Sequence, residues 1–158
     1  NLVKRLCSGH MLTLSKPAPE SVYKVLVSVA DSKAAMELLH SRLNQPNPQP
    51  MIVNICSKFL TEGHPGDPLK SALNRTVDID GVSQVGCRDD KDSRHAVVIM
   101  GRRLNPATQR CELLIQNSWG GKCSGYGKSS WECESTGGRV WIEDREVFSN
   151  AIEVDYLQ

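Results

Sequence analysis

The chain has 158 residues, 39% of them hydrophobic and 23% charged, a balance that supports one packed core. Its 19 basic and 18 acidic residues leave a net charge of +1, so no electrostatic footprint points to nucleic acid or an anionic membrane surface. No apolar run approaches the ~20 residues that span a bilayer, and Asn1-Leu2-Val3-Lys4-Arg5 is not a signal-type apolar segment, so membrane insertion is not expected.

The chain opens at Asn1 rather than Met, as a processed product or a fragment would. Six cysteines are many for a reducing compartment, and an even number permits full pairing. An oxidising location is therefore expected, whether secreted, periplasmic or vacuolar/lysosomal. Cys7, Cys56, Cys87, Cys111, Cys123 and Cys133 offer no short C-x2-C spacing, so structural zinc is not expected, nor is any cofactor.

In chain order, the prolines between Ser15 and Glu20 give an extended loop, and the β-branched run Val22 to Val29 a strand. Asp31 or Ser32 caps a helix whose apolar stripe is Ala35, Met36, Leu39 and Leu43, ended by Pro46, Pro48 and Pro50. Met51 to Ile55 is a buried strand, and Thr61 to Asp92 reads as a polar loop of unusual length for a compact domain. His95 to Gly101 and Arg110 to Gln116 are strands joined by a turn at Asn105-Pro106. Gly120 to Gly138 is a Gly/Ser-rich loop, Arg139 to Ile142 a strand, Asp144 to Phe148 a helical turn, and Ala151 to Leu157 a last strand. No repeat or linker divides residues 1–158, which are expected to be a single α+β or mainly antiparallel β domain.

His95 enters one strand of the expected hairpin and Asn117 leaves the other, so an antiparallel pairing brings them to one edge. An Asn amide oxygen accepting from one imidazole nitrogen fixes the ring and leaves the other nitrogen for a nucleophile. Position alone favours the plainer reading, a strand-edge histidine with a satisfied hydrogen bond.

His95-Ala96-Val97-Val98-Ile99-Met100-Gly101 and Gln116-Asn117-Ser118-Trp119-Gly120 together resemble the histidine strand and the Asn-Ser-Trp-Gly segment of the papain-like cysteine peptidases. The resemblance runs from about Ser32 to the C-terminus. It takes in Gln49 to Ile55, which resembles the start of that family's second half, and Gly138 to Ile142, which resembles its return strand. Residues 1–30 are not placed by it. It implies a papain-like fold whose C-terminal antiparallel sheet or barrel half is present with a short amphipathic helix. It also implies peptide-bond hydrolysis, with His95 as general acid/base, Asn117 orienting it, Trp119 covering their bond, and Ser118 and Gly120 supporting the turn.

The family's nucleophile stands in a Cys-Gly-Ser-Cys-Trp-like word roughly 130–150 residues before the histidine. That word is absent. Cys7 lies much closer to His95, in Leu6-Cys7-Ser8-Gly9-His10, and prolines rather than a helix come after it, so it lacks the dipole and amide that activate such a thiol. The nucleophile is then expected on an N-terminal chain or segment, the partner of this one alongside a polypeptide substrate, and this chain alone is expected to be inert. The alternatives are a non-catalytic binding module on the same fold and acyl transfer.

Cys123 and Cys133 bracket the Gly/Ser-rich loop and are the first disulfide expectation; Cys56 with Cys87 is the second, leaving Cys7 and Cys111 paired or free. Trp131 and Trp141 are expected as core or loop anchors. His10 is expected as a solvated loop residue, and His40 and His64, in a helix and a loop, show no evident partner.

Overall fold

The computed structural model describes residues 12–13, 22–25, 32–62, 74–79, 82–87, 94–126, 131–135 and 137–157. The architecture is mixed α/β, with few helices and an antiparallel sheet. Its strands are β1 (Leu12–Thr13), β2 (Val22–Val25), β3 (Met51–Cys56), β6 (Arg94–Leu104), β7 (Cys111–Gln116), β8 (Glu132–Glu134), β9 (Arg139–Glu143) and β10 (Ala151–Leu157). The hydrogen-bonded order is β2-β10-β3-β6-β7-β9-β8, with β1 added to β6. Thus Leu12–Thr13 and Val22–Val25, within the stretch that the resemblance leaves unplaced, belong to the same sheet.

Helix α1 (Ser32–Leu43) has the predicted stripe, with Leu39 and Leu43 buried and Met36 packed at the rim of the core. They meet Met51, Val53 and Ile55 of β3, Val97 and Ile99 of β6, Leu113 and Ile115 of β7, and Val140 and Ile142 of β9. These residues alternate along each strand, so one face of the sheet carries the core. Short helices α2 (Phe59–Glu62) and α3 (Asp144–Phe148) close its ends with Phe59, Leu60, Val147 and Phe148.

Three expectations change. Thr61 to Asp92 is not wholly loop: it contains a two-stranded hairpin of β4 (Asn74–Ile79) and β5 (Val82–Cys87). Alternating Val77, Ile79 and Val82 around Asp80-Gly81 was the sequence signal for it. The Gly/Ser-rich stretch contains a 3-10 turn, Cys123–Tyr126, and strand β8. The β6 strand runs on to Leu104, beyond Gly101, because the turn begins only at Asn105, whose Oδ1 accepts from Ala107 N (2.9 Å) and Thr108 N (3.2 Å). Of the predicted strand Val22 to Val29, the part after Val25 lies outside the described residues.

His40 does have a partner. It is buried on α1, and its Nε2 lies 2.9 Å from Asp144 Oδ2, tying α1 to α3. His10 and His64 lie outside the described residues. Trp131 packs edge-on against Phe59 at 5.2 Å, and Trp141 is buried beneath the Arg103 guanidinium, so both anchor the fold as expected.

The junction of β9 and α3 holds Glu143, which takes Arg110 at 2.9 Å and Arg145 at 2.5 Å. Burial is the largest influence on its carboxyl; Arg110 opposes it, and Glu146 and Asp144 add like charge, the sum pushing the pKa up from 4.5 to about 7. A carboxyl raised in this way stabilises the fold while protonated, so the contribution is complete below about pH 4.5 and is lost as pH rises through about 7. With solvent reaching the site past half-exposed Arg110, the loss between pH 5 and 8 is about 1–2 kcal/mol. Urea unfolding across that range is expected to show it in the natural protein, and a flatter profile in Glu143→Gln.

Candidate active site

His95 is the second residue of β6 and stands across from Ile55 of β3; Asn117 is the first residue after β7. The hairpin brings them together as the pattern predicts: His95 Nε2 lies 2.6 Å from Asn117 Oδ1. Ser118 N donates to the same Oδ1 at 2.7 Å. A backbone N–H can only donate, so the atom that Ser118 N meets is the amide oxygen, which only accepts. Nε2 therefore carries the proton, and in the neutral ring Nδ1 keeps its lone pair. That is the arrangement of a general base.

Asn117 is 4% exposed, whereas His95 is half-buried. The holding group is thus shielded while the held ring reaches the surface. Trp119 stacks on His95 with ring centroids 5.5 Å apart and a 30° tilt. At 38% exposure it is the one large hydrophobic residue exposed among those described. It covers the imidazole from one side.

The turn that carries Trp119 depends on glycines. Gly120 has φ +84, a left-handed conformation that glycine adopts without penalty. Gly138, at φ +62, lies so close to Gly120 that a Cβ there would run into the Gly120 carbonyl oxygen. Gln116 Nε2 donates to Gly137 O at 3.0 Å, and the Tyr126 hydroxyl to Gly138 O at 2.5 Å. The Asn-Ser-Trp-Gly segment is therefore knitted to the turn before β9.

Tyr126 was not singled out by sequence reasoning. An aromatic inside a Gly/Ser-rich stretch was its signal, because a large apolar ring there needs a place to be buried. Its ring lies 5.8 Å from that of Trp119. Burial is the main cause raising the phenol's pKa, and the neighbouring Asn117 amide opposes it. Asn117 Nδ2 itself is buried with no hydrogen-bond partner among the described residues.

Both expected disulfides are present. Cys123–Cys133 closes the loop that carries Tyr126, and Cys56–Cys87 ties the base of the β4–β5 hairpin to the end of β3, one residue beyond the partner of His95. Cys111 is also disulfide-bonded, with its partner outside the described residues. None of the described cysteines is free, and Cys7 lies outside them. His40, Cys111 and Asp144 form the one cluster of metal-ligating types among the described residues; with its sulfur in a disulfide, Cys111 offers no thiolate to a metal.

The chain matches no protein-family model and no curated protein.

Gly138→Ala should cost about 2–4 kcal/mol, combining left-handed strain with a backbone clash. Gly121→Ala, whose Cβ would meet nothing nearer than 3.8 Å, should stay within about 0.5 kcal/mol. Urea titration of both variants against the unsubstituted protein measures the difference.

Proposed function

We propose that this chain supplies the base-bearing half of a cysteine-type peptidase. His95 is the general acid/base, Asn117 fixes its orientation, and the thiolate comes from a cysteine on an N-terminal chain or segment. The carrying observation is the 2.6 Å bond from His95 Nε2 to Asn117 Oδ1, with Nδ1 left for the nucleophile.

The neutral partner bears on the choice of nucleophile. A carboxylate beside the ring stabilises the imidazolium electrostatically, which helps when a hydroxyl has to be deprotonated. An amide orients the ring without supplying a charge. That is enough for a thiol, whose pKa of about 8.5 lies near that of imidazole. The thiolate would attack the peptide carbonyl as His95, now protonated, gives its proton to the leaving amine; water activated by the neutral ring would then hydrolyse the thioester. Alone, this half lacks the nucleophile and is inert. A non-catalytic binding module is the second reading, favoured by one observation, that none of the described cysteines is free. An oxidising compartment accords with both, and with the disulfides.

The test is to isolate the protein from its source with whatever is bound and treat it with an epoxide thiol trap. Mass spectrometry is expected to find the label on a cysteine outside residues 1–158, opening a helix, and peptidase activity should vanish with labelling. His95→Ala should lower kcat/KM at least about 100-fold. Labelling of Cys7, or an intact product with neither a trappable cysteine nor activity, would overturn the proposal, the latter in favour of the binding module.

A further inference from the structure

We propose that the Cys123–Cys133 bridge is a redox-sensitive clamp on the candidate site: a dithiol reductant opens it ahead of the other bridges, and its opening withdraws the cover from His95. The effect on activity rests on His95 serving as the base.

This bridge differs from the others in exposure. Cys123 and Cys133 are both half-buried, so a thiolate can approach from solvent at either end and the displaced sulfur can leave toward solvent. Cys56 and Cys111 are each 0% exposed. Attack on their bridges has to strike a buried sulfur or leave a thiolate among apolar side chains, which raises its pKa and slows its departure.

The bridge also stands where the site is held. It joins the 3-10 turn Cys123–Tyr126 to β8, in which Cys133 pairs with Val140 of β9. That turn backs Trp119: a Cβ on Gly125 would stand 3.0 Å from Trp119 Cε3, and the Tyr126 ring lies 5.8 Å from the indole. Trp119 in turn stacks on His95 at 5.5 Å. Contact therefore runs from bridge to turn, from turn to indole and from indole to imidazole. With the bridge open, the Tyr126 hydroxyl still reaches Gly138 O, so the turn loosens while the sheet stays paired. The indole then loses its backing, and water weakens the bond between His95 and Asn117.

The chemistry is thiol–disulfide exchange. A thiolate of the dithiol attacks one sulfur, the S–S bond breaks, and the other cysteine leaves as its thiolate. The second thiol of the reductant resolves the mixed disulfide. Two electrons pass from the dithiol, which ends as a disulfide, and its two protons end on Cys123 and Cys133.

The test uses the full protein, isolated oxidised with whatever is bound. Graded dithiothreitol followed by iodoacetamide should label Cys123 and Cys133 about tenfold faster than Cys56, Cys87 or Cys111. The ring-current shift that Trp119 imposes on the carbon-bound protons of His95 should shrink as the bridge opens. Cys123→Ser/Cys133→Ser, which cannot close, should show the same loss and a kcat/KM about tenfold below that of the unsubstituted protein. Where the double variant does not fold, the selectively reduced and alkylated protein provides the shift. Labelling of all the bridges at one rate, or an unchanged His95 shift with the bridge open, would overturn the proposal. A shift that responds in a protein without peptidase activity when oxidised would leave the clamp standing and overturn His95 as the base, a distinct failure.

Discussion

One irregularity in β6 decides which side chains share a face. From Leu104↔Cys111 to Gly101↔Leu114 the hairpin pairs regularly; the register then shifts, and Ile99 pairs with Ile115. The extra residue is Met100. Because side chains alternate along a strand, one added residue exchanges the faces of everything beyond it. With the shift, His95, Val97 and Ile99 share their face with Ile115 and Asn117. Without it they would share it with Gln116 and Ser118, and the imidazole would lose its partner. The same bulge keeps both halves of β6 on the core side: Val97 and Ile99 join the core before it, and after it Arg102 is buried opposite the core residue Leu113.

The sheet places His95 and Asn117 but cannot hold the residues after Asn117, since the site begins where strand pairing ends. Beyond Gln116 the backbone is secured by other means: the side chain of Gln116 itself, the contact of Gly138 with Gly120, the Tyr126 hydroxyl and the Cys123–Cys133 bridge. Each replaces a ladder hydrogen bond with a contact of fixed geometry. On the other side of His95 the Cys56–Cys87 bridge does the same for the hairpin of β4 and β5. A segment that buries little apolar surface has small means to offset its ordering entropy, and a covalent closure reduces that entropy in the unfolded chain. The disulfides therefore stand where the core does not reach.

Much of this was legible in the sequence because it rests on local pattern. The stripe through Leu39 and Leu43, the apolar runs of β3, β6 and β7, and the turn at Asn105 each arise from residues within one element. Asn117-Ser118-Trp119-Gly120 marked the site because its four residues do four different jobs in one turn. What escaped was of three kinds. The bulge at Met100 leaves no trace, since Met100 is as apolar as its neighbours. The hairpin Asn74–Ile79/Val82–Cys87 was masked by the polar residues around it. The pairing of His40 with Asp144, 104 residues apart, depends on how α1 lies across α3, which no local pattern encodes.

The two described histidines separate structure from chemistry. His40 is 2% exposed and faces a carboxylate; where such an imidazole is protonated, the pair is an internal ion pair joining a helix to the end of the sheet. No substrate could reach it. His95 faces an amide at a comparable distance, but its ring extends to the surface and its second nitrogen is not occupied by the partner that orients it. Carboxylate against amide and closed against open are independent differences, and both point the same way. A buried ring with a charged partner serves cohesion, whereas an accessible ring with a neutral partner is fixed in direction and still free to exchange a proton. Of the two, only the second can pass a proton to a group arriving from outside.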